Sequence, residues 1–356
     1  MTEASKVIKG RGAQVNSKNP FDKLEKVKEF WEGIDEQEDM DEKIPSEYIE
    51  VFPKSILNKV DSPDIGLSWS MNPYQGCEHG CIYCYARNTH NYWGYSAGTD
   101  FEQKVLVKTN AASLLRKELS NGKWEPQSIM FSGNTDCYQP AERKFQVTRQ
   151  MLEVLLDFRH PVGLITKNSL ILRDIDILKE LAKLNLVKVH ISFTTLQEDL
   201  RRKMEPRTSS VKSKLKTIET LTEAGIPVGV MMAPVIPSLN SHEVFELSET
   251  VAKAGAESIN FLVVRLNGAI GELFEDWARL HFPDRAEKIL NQVKSLHGGK
   301  LNDSRIGVRM MGEGVYAQQL QDMFSQAKKQ YFPHAPKRQL DTSQFVRMKK
   351  DQLMLF

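Results

Sequence analysis

The sequence predicts an α/β fold, an incomplete (β/α)6 barrel of the TIM type, and three observations predict it. Short, almost continuously apolar runs rich in Val, Ile and Phe alternate with amphipathic runs between residues 66 and 264. Such runs mark strands buried on both faces, as parallel strands are when helices cover the sheet. Two of the amphipathic runs end in Ala-Gly, at 224–225 and 254–255, and an apolar run follows each within a few residues. A glycine there supplies the left-handed residue that ends a helix. Six strands fall short of the eight that close a barrel. A doubly wound sheet is the competing arrangement, and in both arrangements ligands bind at the carboxyl ends of the strands.

In chain order, GLSWSM (66–71) is the first strand and SIMFSG (128–133) the second. The run 141–158 has helical spacing and leads to PVGLIT (161–166). Helix 172–184 precedes VKVHISF (187–193), and helix 211–225 precedes PVGVMMA (227–233). Helix 243–255 leads to SINFLVV (258–264), the sixth strand. Residues 1–44 are polar with sparse apolar positions and form an N-terminal arm. Residues 45–330 form the core domain. Residues 331–356 are a basic, proline-broken C-terminal tail, whose end QFVRMKKDQLMLF has the pattern of a short docking helix.

The 356 residues are 40% hydrophobic and 26% charged, which suffices for a sizeable core. With 48 basic against 46 acidic residues the formal charge is +2, so no global nucleic-acid signal exists. No apolar run is long enough to span a bilayer, and the N-terminus lacks the apolar stretch of a secretory signal. A cytoplasmic protein with reduced thiols and no membrane partner is the expectation. Only 4 cysteines occur, three of them at 77, 81 and 84, which suits a metal site better than a disulfide framework.

That cysteine loop reads NPYQGCEHGCIYCYARNTH (72–90), with the spacing C-x3-C-x2-C. Three thiolates hold three irons of a cubane [4Fe–4S] cluster and leave the fourth iron without a protein ligand. The open iron can take the amino and carboxylate groups of S-adenosylmethionine (SAM), whose sulfonium an electron from the reduced cluster then cleaves. Gly76 and Gly80 let the backbone wrap closely. Two alternatives remain at this point. His79 or His90 can complete a Cys3His zinc site, although the second two-ligand knuckle usual for zinc is missing. Either metal can also serve a binding module that is not an enzyme.

The stretch Cys77-Glu-His-Gly-Cys81-Ile-Tyr83-Cys84 resembles the radical SAM signature, which carries an aromatic residue before its third cysteine. Extended through Tyr85, the text CIYCYA resembles the branch that contains spore photoproduct lyase and its DNA repair photolyase-like relatives. The resemblance covers residues 45–330. It implies a radical SAM barrel, a [4Fe–4S] cluster on Cys77, Cys81 and Cys84, SAM with Tyr83 beside its adenine, and an electron donor such as flavodoxin or ferredoxin. It also implies lyase-like chemistry on nucleic acid.

The resemblance further assigns Lys167, in LITKN, to the SAM carboxylate; an ordinary exposed lysine is the plainer reading. Ser192, at the end of VHIS, is placed to bond SAM or only nearby backbone. Arg207, in Glu205-Pro206-Arg207, is a candidate clamp for a carboxylate or phosphate. Met232 and Ala233 are candidate apolar contacts for the adenine, and Arg265 ends the sixth strand facing substrate. The branch's Cys-Thr-Ser-Asp is replaced here by Gly133-Asn134-Thr135-Asp136. Its hydrogen-donating cysteine is therefore absent, while Tyr85, resembling that residue's tyrosine partner, is kept. Cys137 is the candidate replacement donor; a lone cysteine is otherwise a small buried apolar residue.

Overall fold

Among the described residues ten strands build two sheets: β1 (Glu47–Val51), β2 (Leu57–Lys59), β3 (Trp69–Met71), β4 (Tyr74–Gln75), β5 (Lys104–Lys108), β6 (Ile129–Phe131), β7 (Val162–Thr166), β8 (Val187–Ser192), β9 (Val228–Val235) and β10 (Ser258–Val263). They belong to a computed structural model that describes residues 8–21 and 45–347, apart from 65, 67 and 337. The larger sheet has the order β10-β9-β8-β7-β6-β3-β2. Its six strands from β3 to β10 are parallel and neighbour one another in chain order, and only β2 runs antiparallel, against β3. Within the described residues β10 and β2 are the unpaired edges, so the wall is an open, six-stranded parallel barrel.

Alternation along each strand separates two faces. Val187, Val189 and Ile191 of β8, with Val228, Val230 and Met232 of β9, are buried in the main core beneath the helices. On the opposite face Lys188, His190, Met231 and Ala233 are half-buried and line the open inside of the wall. Helices Val147–Asp157, Ile175–Lys183, Val211–Glu223 and Val244–Lys253 cover the core face. Gly225 and Gly255 close the last two with φ of 76° and 96°, as their Ala-Gly endings indicate. The helix expected over 141–158 is broken at Gln146, because the buried Glu142 carboxylate accepts the Thr148 amide at 2.9 Å and so caps a new helix.

Elements without a clear sequence signal complete the molecule. β1, β5 and β4 form a three-stranded sheet beside the cysteine loop. Helix Val315–Tyr331 lays Phe324 on Phe261 of β10, with ring centroids 4.0 Å apart.

The two extensions dock at opposite ends. The tail crosses the amino ends of the strands: the Asp341 amide donates to the Asn185 carbonyl at 3.0 Å and the Val346 amide to the Phe158 carbonyl at 2.9 Å. Residues 344–347 are not helical there, and the rest of the expected docking helix, 348–356, lies outside the described residues. Of the arm, residues 8–21 pack at the other end, against the cysteine loop; residues 1–7 and 22–44 lie outside the described set.

Candidate active site

The cysteine loop leaves β4, which β5 pairs and fixes. The Cys77 amide donates to the Phe101 carbonyl at 2.8 Å, and the Ile82 amide to the Met204 carbonyl at 3.0 Å. Gln139 braces the bend from the loop after β6, accepting from the Glu78 amide at 3.0 Å and donating to the Gly76 carbonyl at 3.0 Å. Cys77 and Cys81 are buried and Cys84 is half-buried. Burial pushes all three thiols up from their ordinary value.

The outer side of the loop is held by a buried ion pair. Arg87 donates through Nε to the Cys81 carbonyl at 3.0 Å and through Nη2 to Glu102 at 2.5 Å. Both side chains are fully buried. Glu102 also accepts the amides of Gly12 and Ala13, at 3.0 and 2.8 Å. Gly80, at φ 66°, lies against this carboxylate, and a Cβ there would stand 2.7 Å from Glu102 Oε2. A Cβ on Gly12 would stand 1.8 Å from the Gly80 carbonyl oxygen. The arm therefore seats directly on the loop backbone.

The inner side faces the carboxyl ends of β7 and β8. Lys167 follows β7, and its ammonium donates to Ser192 Oγ, at the end of β8, at 2.6 Å. Burial works against the Lys167 charge, but Glu205, Cys81, Asp136 and Cys84 outweigh it and hold its pKa above the ordinary lysine value. Glu205 is buried; burial alone would raise it, and Lys214 and Lys167 with the Thr194 and Tyr83 hydroxyls bring it down to about 2. The Tyr83 hydroxyl donates to Glu205, and Lys214 pairs with it at 2.9 Å. Asp136 accepts the Thr166 hydroxyl at 2.7 Å and the Lys167 amide at 2.8 Å, with His79 Nδ1 at 3.3 Å. The far nitrogen of His79 meets Asn168 at 3.2 Å.

The expected site residues are thus sorted by the fold. Cys77, Cys81, Cys84, Tyr83, Lys167 and Ser192 come together at the mouth, with the Ala233 carbonyl 3.5 Å from Ser192 Oγ. Met232 does not join them. Strand alternation buries it in the main core, and Met231 is the methionine on the inner face. Cys137 is likewise buried in that core rather than in the loop's own clusters, because Asp136, its neighbour, takes the inward position. Arg207 turns to Glu78 at 3.4 Å and Ser46 at 3.3 Å, outside the Lys167–Ser192 pair. Tyr85 is half exposed, and its hydroxyl donates to the Gly133 carbonyl.

Arg87, Glu102 and Lys214 were not anticipated. Only Arg87, three residues past Cys84, carried a positional hint.

The donor set fits an iron–sulfur cluster. Among the described residues no three His, Cys, Asp or Glu side chains gather closely enough for one metal ion. A cubane asks for something else, three thiolates each on its own iron, and it supplies the positive charge that makes buried thiols ionise. His90, the other zinc candidate, is packed between Tyr95 and Phe101, and burial lowers its imidazole to about 4. Lys167 adds a cation beside Cys81, where a cosubstrate carboxylate can sit.

The family profile described as "Radical SAM superfamily" matches residues 71–251. An uncharacterised protein of Mycobacterium tuberculosis is 35% identical over 236 residues, covering 65% of this chain and 69% of the relative. Spore photoproduct lyase complexed with a dinucleoside spore photoproduct shares the fold, with a TM-score of 0.60, 17% identity and 80% of each chain covered. A variant of that lyase with bound AdoMet and the same dinucleoside aligns with a TM-score of 0.59 and 17% identity over 80% of each chain. Among the described residues, no helix is long and apolar enough to cross a membrane.

Proposed function

Because the chain belongs to the radical SAM superfamily, whose cofactors are a [4Fe–4S] cluster and SAM, we propose that Cys77, Cys81 and Cys84 hold that cluster in a lyase-like enzyme acting on nucleic acid. The observation that carries the reading is the convergence at the barrel mouth of three cysteines from one loop with the Lys167–Ser192 pair. When bound, the cluster supplies the electron that cleaves SAM and releases a 5′-deoxyadenosyl radical. An electron donor of the flavodoxin or ferredoxin kind would supply that electron.

The chain's own residues bind and orient. Lys167 keeps its charge and takes the SAM carboxylate, with Ser192 bonding beside it. Glu205 fixes the Tyr83 ring through its hydroxyl, so the adenine meets a rigid aromatic edge. Met231 and Ala233 give the apolar wall on the inner face of β9. At the substrate end Tyr85 stands alone. Its hydroxyl reaches the Gly133 backbone, where the related branch has a cysteine. A Cβ at Gly133 would lie 2.9 Å from the Ser70 Cβ, so a larger residue needs that strand to shift. With Cys137 in the core, no thiol serves as hydrogen donor here, and the net reaction differs from a cysteine-relayed lysis. A nucleic-acid substrate is supported by the dinucleoside held by the structural neighbour and by the exposed Tyr85, Tyr92 and Trp93 beside the loop, since exposed aromatics stack on bases.

The test is anaerobic reconstitution with iron and sulfide, then SAM and a reductant. Wild type should bind about four irons per chain and form 5′-deoxyadenosine, and Cys81→Ala should lose both. Iron-loaded wild type that leaves SAM intact sinks the proposal.

A further inference from the structure

We infer that Arg265 is a substrate clamp, whose guanidinium takes a backbone phosphodiester of the nucleic acid while the reacting nucleoside lies at Tyr85. The inference rests on the nucleic-acid reading above and adds the residue that recognises the substrate's charge.

Arg265 lies two residues beyond β10, at the carboxyl end of the edge strand and half-buried. The following loop is pinned to the segment that carries Tyr85. Asn88 donates to the Asn267 carbonyl at 2.8 Å and accepts the Ala269 amide at 3.2 Å. Asn88 belongs to the 3-10 helix Tyr85–Trp93, so the guanidinium and the phenol are held by two cross-linked segments on one side of the mouth.

What sets Arg265 apart is its want of an acceptor. Arg87, Arg149, Arg173, Arg201 and Arg309, buried or half-buried like it, pair with carboxylates, and buried Arg11 donates to the Glu102 carbonyl. Among the described residues Arg265 makes no hydrogen bond or ion pair. The acid felt near it among the described residues, Asp64, is already taken by Arg309 at 2.7 Å, with Ser62 bonded to the same guanidinium. Burial, then the Arg309 charge, disfavours the Arg265 cation; Asp64 and Tyr85 only partly offset this. A guanidinium kept half-buried beside a second cation without an anion is held ready for one.

The SAM carboxylate already has a cation in the reading above. The Lys167 ammonium lies on Ser192 at the end of β8, two strands from the β10 edge that Arg265 follows, about 10 Å at ~4.8 Å per strand. A phosphodiester fits the planar fork and places a base near the phenol.

The test uses the reconstituted holoenzyme with SAM and two probes, thymidylyl-thymidine and its uncharged methylphosphonate analogue, in equilibrium dialysis. Wild type should prefer the charged probe about tenfold or more, the scale of a charge-assisted hydrogen bond. Arg265→Gln should bind the two probes alike, and Arg265→Lys should keep part of the preference. A preference that survives in Arg265→Gln overturns the inference, as does wild type that shows none. SAM affinity, measured on the same samples, should stay within about twofold, because a tenfold fall would signal the cosubstrate site instead. SAM cleavage by wild type is read separately, so failure of the enzyme reading and failure of the clamp are distinguishable.

Discussion

The outer and inner sides of the cysteine loop both carry buried charge, but they use it differently. Outside, Arg87 and Glu102 are matched to each other and to backbone, with the Gly12 and Ala13 amides filling the remaining lone pairs. Inside, Lys167 has a hydroxyl as its direct partner, and among the described residues Arg265 has no hydrogen-bond or ion-pair partner. A fully satisfied network holds shape, whereas a cation with spare donors is set for a ligand. The same loop is therefore fastened on one side and open for binding on the other.

The largest effect is expected on the fastened side. Glu102→Ala leaves Arg87 buried without its anion and should lower unfolding stability by about 3–5 kcal/mol, read from the denaturant midpoint. The arm should become protease-sensitive at residues 11–14 together with it, since its amides lose their acceptor. A loss under about 1 kcal/mol would break the contrast, because the outer network would then not be holding the loop.

On the open side the effect should move from stability to binding. Lys167→Met in reconstituted protein should weaken SAM binding by roughly tenfold to a hundredfold, matching the 1.5–3 kcal/mol of a charged hydrogen bond. Its stability should change by less than about 1 kcal/mol. The reverse pattern, unfolding without loss of SAM affinity, would make Lys167 part of the frame.

The barrel and the thiols were legible in the sequence because both are local signals. Apolar runs, Ala-Gly endings and the spacing of Cys77, Cys81 and Cys84 each lie within a few residues. The mouth was legible only in part. Lys167 and Ser192 end recognisable strands, so their depth was readable. Met232 failed by one residue, since a fully apolar β9 gives no alternation to tell its faces apart. The Arg87–Glu102 pair joins residues 15 apart and recruits the arm about 90 residues away, which no periodicity reports. Lys214 sits in VKSKLK, a run indistinguishable from a solvated helix face.

Glu205 ties the two sides together, and its titration gives the third test. Its carboxyl lies at about 2, below the usual 4.5, so its contribution is complete above pH 4.5 and is lost as pH falls toward 2. The loss should be on the order of 2–3 kcal/mol, since protonation leaves the buried Lys214 ammonium without its anion. Unfolding midpoints measured from pH 5 to pH 2 should fall more steeply in wild type than in Glu205→Gln. Parallel curves would mean that Glu205 is not the group whose protonation loosens Tyr83.

The smallest effect separates a core cysteine from a catalytic one. Cys137 is fully buried among Val147, Met151 and the strand residues, and its amide donates to Ser132 Oγ at 2.8 Å. Burial holds its thiol neutral. Removing the sulfur leaves that backbone bond in place, so Cys137→Ala should cost only about 1 kcal/mol of stability. A thiol that quenched a substrate radical would instead be indispensable to turnover. If Cys137→Ala keeps its cluster and SAM cleavage but releases an uncoupled, radical-derived product from a nucleic-acid substrate, the thiol reaches the mouth after all and the line drawn between frame and site moves inward by one strand face.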